Sequence, residues 1–230
     1  TMVTSRDNFL YHEMMSHPAL FTHPDPKKVL IIGGGDCGTL SEVLKHQGVE
    51  QVWQVDIDEA VTRLSQVYFP ELCESNGDER AHLLFADGVK WVRDAESASL
   101  DIIIVDSTDP IGPAEGLFNK AFYEQCHRIL RSGGLLVQQS ESPLYHLQLL
   151  KDMHSAMRGA GFEDSKTHYF PQPVYPSGWW SATTACKDGK IQNFRETAAR
   201  NKPFKTRYYN ADIHHAALAQ PEFCKEAGFG

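Results

Sequence analysis

The sequence lacks the patterns that mark metal-binding, disulfide-bonded and membrane-spanning proteins. It contains no C-x-x-C and no H-E-x-x-H, although it has 5 cysteines and 11 histidines. The odd number and scattered positions of the cysteines indicate free thiols in a reducing compartment, and we expect no metal site. No apolar run approaches the roughly 20 residues that span a bilayer. No signal peptide, internal repeat or low-complexity segment is visible.

Basic residues are in the minority. Lys and Arg number 22 against 30 Asp and Glu, which gives a net charge of −8. Because sequence-independent nucleic-acid binding needs a basic surface, this balance argues against a nucleic-acid partner. It suits a cationic small molecule instead. The 230 residues, 41% of them hydrophobic, are enough for one globular domain with a sizeable core.

Short apolar runs alternate with helical patterns along most of the chain. Five runs predict strands: KKVLIIGGG, QVWQVDID, AHLLFADG, DIIIVDS and GLLVQQSE. Four segments predict helices: TLSEVLKHQG, EAVTRLSQVYF, NKAFYEQCHRILRSGG and LYHLQLLKDMHSAMRGAG. Two extended runs, THYFPQPVYP and WWSATTACK, then predict an antiparallel pair. The pattern predicts an α/β fold, a Rossmann-like, methyltransferase-type seven-stranded sheet, with residues 1–28 as an extended lead-in and a short helix against it.

A glycine loop follows the first predicted strand. Gly33, Gly35 and Gly38 fit G-x-G-x-x-G, which allows a ligand to approach the backbone at a helix N-terminus. The motif fits NAD and adenosylmethionine-type ligands alike, and a simple tight turn is the alternative. Asp56, at the end of the second strand, is placed to accept both ribose hydroxyls, or is a solvated acid at a strand end. These positions predict a nucleoside site at the carboxyl ends of the strands.

Two further acids can be read in two ways. Asp87, followed by Gly88, either accepts the adenine amino group or forms an ordinary Asp-Gly turn. Asp36 interrupts the glycine loop, where a helix N-terminus normally attracts anions. It would repel a pyrophosphate or a carboxylate and attract a bare ammonium group. Alternatively, it caps the following helix.

The segment DIIIVDSTDPIGP ends an apolar strand on a pair of acids, Asp106 and Asp109. Burying an ionised acid is costly unless a cation or hydrogen bonds meet it. The pair therefore indicates either structural partners for these carboxylates or a positively charged ligand.

Several motifs together strongly resemble the spermidine synthase family of polyamine aminopropyltransferases. In chain order they are RDNFLYHEM, VLIIGGGDCG, QVDID, ADG, VDSTDPIGPAEGLF, QQSESP, VYPSG and RYYNADIHHAALAQPEF. The resemblance covers essentially the whole chain. It implies transfer of an aminopropyl group from decarboxylated S-adenosylmethionine, a co-substrate, to a diamine, usually putrescine, with no prosthetic group.

The same resemblance implies roles for individual residues. Asp106 resembles the proton acceptor, Tyr11 and Tyr175 resemble residues around the attacking amine, and Asp109 matches a diamine-binding acid. The other implied contacts are Gly33, Gly35, Asp36, Asp56, Asp87, Gly88 and Pro113 to the donor, and His12, Asp36, Ser107, Thr108, Gln139 and Glu141 to the diamine.

The resemblance also implies a cytoplasmic homodimer or homotetramer. Members of the family carry an N-terminal β-domain of about fifty residues, which we expect to be missing from this sequence. The family's β-domain precedes RDNF, so we expect residues 1–28 to be a lead-in segment at its end and residues 29–230 to form the catalytic domain. One departure lies in the glycine loop, where Cys37 replaces a usual glycine. This replacement is unfavourable if the position requires a positive φ.

Three other functions share part of this pattern. A small-molecule methyltransferase using intact S-adenosylmethionine would share the fold and Asp56, but it explains neither Asp36 nor the acid pair. A non-catalytic polyamine-binding protein would share the cation-binding acids. An NAD dehydrogenase is disfavoured because Asp36 opposes a pyrophosphate.

Overall fold

The computed structural model describes residues 3–108 and 116–228, which contain one seven-stranded sheet. Its strands are β1 Lys28–Gly33, β2 Gln51–Asp56, β3 Ala81–Phe85, β4 Leu100–Asp106, β5 Leu130–Gln139, β6 Asp164–Gln172 and β7 Gly178–Cys186. The strand order is β3-β2-β1-β4-β5-β7-β6. Strands β1 to β5 are parallel, and β7 is antiparallel to both β5 and β6. The predicted sheet and its C-terminal antiparallel pair are therefore confirmed.

The helices lie between and around these strands. They are α1 Asn8–Thr22, α2 Gly38–Leu44, α3 Glu59–Tyr68, α4 Gly88–Asp94, α5 Lys120–Ile129, α6 Leu147–Gly159, α7 Glu196–Arg200, α8 Ala211–Ala217 and α9 Glu222–Glu226. Two short 3₁₀ turns, Pro70–Leu72 and Glu74–Gly77, follow α3. None of the helices in the described part of the chain is long and apolar enough to cross a membrane.

Three helix predictions need correction. The helix expected over TLSEVLKHQG, closed by Gly48, ends at Leu44. The helix expected over NKAFYEQCHRILRSGG ends at Ile129, because Leu130 already pairs with Leu100 in the sheet. The short helix expected before β1 is the 15-residue α1, and all of its residues except Phe9 are buried. Since α1 is covered on nearly every side, it belongs to the core rather than to the surface.

The central strands have buried apolar side chains on both faces of the sheet. Successive side chains of a strand point to opposite faces. Val29 and Ile31 accordingly join one core cluster, together with Met14 of α1. Leu30 and Ile32 join a second cluster on the opposite face, which is completed by residues of α5 and α6. This burial on both faces explains why β1 and β4 are continuous apolar runs.

Strand register brings the predicted site residues to one edge. Gly33, the last residue of β1, pairs with Asp106, the last residue of β4. Gln139 ends β5 beside them, and the turn from β6 to β7 lies at the same edge because β6 runs parallel to β5. Open α/β sheets bind ligands at this edge.

Candidate active site

The glycine loop after β1 fastens the end of that strand to the end of β4. Gly33 and Gly34 have φ angles of 83° and 67°, a region that favours glycine. A Cβ atom on Gly33 would lie 2.1 Å from the backbone carbonyl oxygen of Asp106. The N–H of Gly34 donates to that same oxygen at 2.8 Å. The two glycines therefore fix the backbone position of Asp106.

Cys37 adopts the left-handed conformation, with a φ of 68°. The strain expected for a non-glycine residue at a positive φ is therefore present, and it costs about 1–2 kcal/mol. Its thiol is fully buried and accepts a hydrogen bond from Gln54 Nε2 at 3.6 Å. Burial raises the pKa of the Cys37 thiol. The side chain is consequently a packed, neutral part of the loop.

The Asp106 carboxylate is held by two hydroxyl groups. Tyr11 Oη donates to Oδ1 at 2.8 Å, and Thr39 Oγ1 donates to Oδ2 at 2.6 Å. Burial, and next the negative charge of Asp36, raise the pKa of Asp106 to about 6 against the opposing effect of these hydrogen bonds. Burial and the nearby Asp106 also raise the pKa of Tyr11. Asp106 is therefore a more basic carboxylate than an ordinary Asp, and Tyr11 remains a hydrogen-bond donor.

Asp36 has two partners, so both interpretations of this residue describe part of its environment. Its Oδ1 accepts the N–H of Gly38 at 2.9 Å, which satisfies a free donor of α2. Its Oδ2 lies 3.1 Å from His12 Nε2, and both residues are buried. Burial opposes ionisation of the pair, but mutual attraction outweighs it, raising the pKa of His12 and lowering that of Asp36. A Cβ atom on Gly38 would overlap the His12 ring at 2.1 Å.

The nucleoside side of the site is built from the ends of β1, β2 and β3. Asp56 Oδ1 accepts the N–H of Asp58 at 2.8 Å, and burial raises the pKa of Asp56. A Cβ on Gly35 would lie 2.7 Å from Asp56 Oδ2 and 3.0 Å from the Val61 side chain, so a larger residue here would displace this carboxylate. Asp87 caps α4 by accepting the N–H of Val89 at 2.8 Å. The space that a Cβ would need at Gly88 is filled by the side chain of Ile32, at 2.5 Å.

The opposite side of the site is built from β5 and the turn after β6. Gln139 Nε2 donates to the carbonyl oxygen of Thr108 at 3.4 Å. Glu141 is buried, with a φ of 64°, and its carboxylate lies 3.2 Å from His146 Nδ1. A non-glycine residue at this φ is strained and persists only where its surroundings hold it. The Ser181 hydroxyl provides such a contact, donating to the Glu141 carbonyl oxygen at 2.8 Å.

Tyr175 brings the two sides together. It lies in the turn between β6 and β7, with its ring centroid 6.4 Å from the Tyr11 ring and 4.3 Å from the Trp180 ring. Beside it, Gln172 Oε1 and Trp180 Nε1 are buried without a hydrogen-bond partner among the described residues. Buried polar atoms normally have partners, so a ligand that bonds to these two atoms would be stabilised here.

These groups line one cavity of about 620 Å³. Every described residue of the predicted site lines it: Tyr11, His12, Gly33, Gly35, Asp36, Asp56, Asp87, Gly88, Asp106, Ser107, Thr108, Gln139, Glu141 and Tyr175. Asp109 and Pro113, also predicted, lie outside the described residues. Within the described lining there are six carboxylates and no Lys or Arg. The cavity is therefore suited to a positively charged ligand.

The sequence interpretation missed Thr39 and Gln172. Thr39 lies in the first turn of the helix after the glycine loop, and that position was the signal that could have identified it. Gln172 ends β6 at the ligand-binding edge, in a run that the sequence identified only as extended. In the described ranges, no group of three or more His, Cys, Asp or Glu side chains could hold a metal ion.

Comparisons with known proteins show the family to which this chain is similar. The model of the spermine/spermidine synthase domain matches residues 8–196. The polyamine aminopropyltransferase of Methylococcus capsulatus is 66% identical over 227 residues, covering 99% of this chain and 79% of the relative. That of Thioalkalivibrio sulfidiphilus is 63% identical over 230 residues, covering 100% and 81%.

Solved structures give the same result. A crystal structure of spermidine synthase in complex with the transition state analogue AdoDATO is similar, with a TM-score of 0.94 at 37% identity. The alignment covers 99% of this chain and 78% of that chain. The spermidine synthase from Thermotoga maritima has a TM-score of 0.92 at 37% identity, covering 99% and 77%.

Proposed function

Because the chain belongs to the spermine/spermidine synthase family, we propose that it transfers the aminopropyl group of decarboxylated S-adenosylmethionine to putrescine. The products would be spermidine and methylthioadenosine. Its enzyme class is polyamine aminopropyltransferase. One observation carries the substrate assignment: six carboxylates and no Lys or Arg in the described lining of the cavity. Both substrates are cations, and bringing them together requires compensating negative charge.

The donor would bind along the carboxyl ends of β1, β2 and β3. In this proposal Asp56 accepts the ribose hydroxyls, Asp87 and Gly88 contact the adenine, and Gly33 and Gly35 allow close approach to the backbone. Asp36 and His12 would face the amine-bearing part of the ligands. Since the Asp36 pKa is lowered, its carboxylate is ionised and would attract the donor's ammonium group. The same charge would repel the carboxylate of intact S-adenosylmethionine.

The acceptor diamine would lie between Asp106 and the end of β5. Asp106 and Tyr175 would flank the attacking amine, with Tyr11 holding the carboxylate. Ser107, Thr108 and Gln139 would line the middle of the diamine, and Glu141 would meet its far ammonium group. Asp109 and Pro113 keep their proposed contacts to the diamine and the nucleoside, outside the described residues.

Proton removal is the chemical task that needs a specific group. A lysine-like amine has a pKa of about 10.4, and only its neutral form can attack. The adjacent sulfonium would lower the pKa of the amine by repulsion between cations, and Asp106 would accept the proton. The nitrogen lone pair then forms the new N–C bond as the C–S bond breaks. The electron pair of that bond goes to sulfur, so the leaving methylthioadenosine is neutral and the remaining task is positioning.

A turnover assay with two donors tests the function. With decarboxylated S-adenosylmethionine and putrescine, we expect methylthioadenosine and spermidine in equal amounts, detected by chromatography. With intact S-adenosylmethionine and the same amine panel, we expect no methylated product. Methyl transfer from the intact donor would support the methyltransferase alternative, and tight putrescine binding without any turnover would support a polyamine-binding protein. Cadaverine, agmatine and spermidine in the panel define the acceptor length.

Asp36→Asn should weaken the discrimination between the two donors. We expect the ratio of their dissociation constants, measured by calorimetry, to change about tenfold toward the intact donor, because one buried charge is removed. Asp101→Asn is the control, since Asp101 is also a buried carboxylate and lies at the opposite end of β4. An unchanged ratio in the folded Asp36 variant would contradict the proposed contact.

Thr39→Val should shift the acidic limb of the pH profile. Protonated Asp106 cannot accept a proton, so kcat/KM of the wild type should fall as the pH drops through about 6. The Thr39 hydroxyl stabilises the ionised form, so its loss raises the pKa of Asp106 and moves the limb upward by about one pH unit. Thr167→Val, which alters a buried threonine bonded to His154 and Thr183, should leave the limb in place. A limb that does not move in Thr39→Val would show that this hydrogen bond does not tune the base.

Three other expectations stay predictions. We place the reaction in the cytoplasm because the five cysteines are free thiols, as is usual in a reducing compartment. The division into residues 1–28 and 29–230 and the homodimer or homotetramer rest on the family resemblance.

A further inference from the structure

The C-terminal motif RYYN, residues 207–210, does not line the cavity, yet it holds the helix that supplies Tyr11 and His12. The Glu13 carboxylate, 1% exposed, accepts three consecutive backbone N–H groups. They belong to Arg207 at 2.8 Å, Tyr208 at 2.9 Å and Tyr209 at 2.7 Å. A buried carboxylate needs such donors, and successive N–H groups form an anion-binding concavity. We call Glu13 and residues 207–209 the C-terminal clamp.

Ring contacts extend the clamp along one face of α1. The Arg207 guanidinium carbon lies 3.7 Å from the centre of the Phe9 ring. The Tyr209 ring stacks parallel to Phe21 at 5.8 Å and lies 5.2 Å from the His17 ring. Positions 9, 13, 17 and 21 are four residues apart and share one helix face. The C-terminal segment therefore contacts α1 over more than three turns.

The neighbouring surface of the same helix reaches the active site. Tyr11 and His12 immediately precede Glu13 in the chain. The Tyr11 hydroxyl bonds to Asp106 at 2.8 Å, and His12 Nε2 lies 3.1 Å from the Asp36 carboxylate. Residues one position apart are separated by 100° around a helix, so the rotation of α1 fixes all three side chains together. A shift of α1 by about 1 Å is enough to break hydrogen bonds of this length.

We propose that Glu13 is a positioning residue for aminopropyl transfer: by binding the backbone of residues 207–209, it sets the rotation and height of α1 so that Tyr11 and His12 meet Asp106 and Asp36. The C-terminal motif thereby acts on the reaction without contacting the substrates. The inference rests on the proposed function for its kinetic consequences, whereas its structural consequence for His12 can be measured without any substrate.

Glu13→Gln tests the clamp. The amide keeps the size of the side chain but turns an N–H group toward backbone N–H donors. We expect kcat to fall about ten- to hundredfold. The acidic limb of kcat/KM should also rise by about half a pH unit, because the Tyr11 bond that stabilises the Asp106 carboxylate is weakened. Asp101→Asn is the matched control, since this buried carboxylate accepts the N–H groups of Lys27 at 2.9 Å and Lys28 at 2.8 Å far from the site. It should lower Tm without moving the limb.

A substrate-free measurement separates the clamp from the proposed function. The carboxylates that raise the pKa of His12 are Asp36 on the loop, Asp106 on β4 and Glu42 on α2, and Glu13→Gln removes none of them. Loosening of α1 should nevertheless move the His12 titration, followed by NMR, downward toward the ordinary value. If the wild type shows no aminopropyl transfer, the function fails while this titration still decides the clamp.

A second variant covers the case in which Glu13→Gln does not fold. Arg207 is exposed, and Arg207→Ala removes its contact with Phe9 while leaving the backbone donors in place. As in Glu13→Gln, the His12 titration should move downward and the acidic limb of kcat/KM should move upward. Both shifts should be smaller than in Glu13→Gln. A wild-type titration and a wild-type limb in the folded variants would overturn the proposal.

Discussion

Replacement of Asp106 by Asn is expected to lower kcat by about 10²–10⁴-fold without unfolding the protein. The amide has the shape of the carboxylate and can still accept the Tyr11 hydroxyl bond. The Thr39 hydroxyl can turn to accept from the amide N–H, so neither partner is left unsatisfied. The amide cannot, however, accept a proton from the attacking amine. Single-turnover kinetics with both substrates saturating measures the chemical step directly.

The same variant should be more stable than the wild type above about pH 6. The pKa of Asp106 is about 6 in the folded protein, against about 3.9 in an unfolded chain. The folded state therefore binds this proton more tightly, and the ionised carboxylate lowers the free energy of unfolding as the pH rises from about 4 to above 6. Asn removes that charge, so the Tm difference between variant and wild type should be a few degrees higher at pH 8 than at pH 4. Near-full turnover together with a pH-independent Tm difference would contradict the role of Asp106.

The fold was predictable where single elements are strongly patterned. The runs that became β1 and β4 are continuous and apolar because both faces of these strands are buried, and sequence alone identifies such runs. Helix α4, Gly88–Asp94, was missed because it has only seven residues, too few for an apolar period to stand out in the sequence. The boundary at Leu130 was misplaced because pairing with β4, a non-local interaction, overrides the local helical pattern there.

The candidate site was predictable at its carboxylates but not in its supporting contacts. Asp36 and Asp106 stand out in sequence because acids are unexpected in a ligand loop and at the end of a buried strand. Thr39 is less conspicuous, since a threonine in a predicted helix has many ordinary explanations. Its role depends on α2 starting next to the end of β4, which only the sheet register fixes. The role of Glu13 is equally hidden in the sequence, because the residues that it bonds are 194–196 positions away in the chain.

Gly33→Ala is expected to destabilise the protein by about 3–5 kcal/mol, the range of the most damaging single substitutions. The new Cβ would lie 2.1 Å from the carbonyl oxygen of Asp106, and a backbone atom cannot rotate away as a side chain can. The φ of 83° adds a left-handed strain of about 1–2 kcal/mol for any residue with a Cβ. Relief requires β1 and β4 to separate at the point where Gly34 bonds to Asp106. Urea unfolding at pH 7 measures the loss, and the remaining folded fraction should have reduced kcat because Asp106 is displaced.

Gly48→Ala supplies the comparison that separates this clash from a general effect of replacing glycine. Gly48 follows α2 with no atom within 4 Å of the position that a Cβ would take, and its φ lies outside the left-handed region. Its replacement should change the free energy of unfolding by no more than about 0.5 kcal/mol. If both variants had the same urea midpoint of unfolding as the wild type, the close approach of β1 to the Asp106 carbonyl would not be a constraint on the fold. The glycine loop would then matter only for ligand approach, and Gly33→Ala would affect donor binding rather than stability.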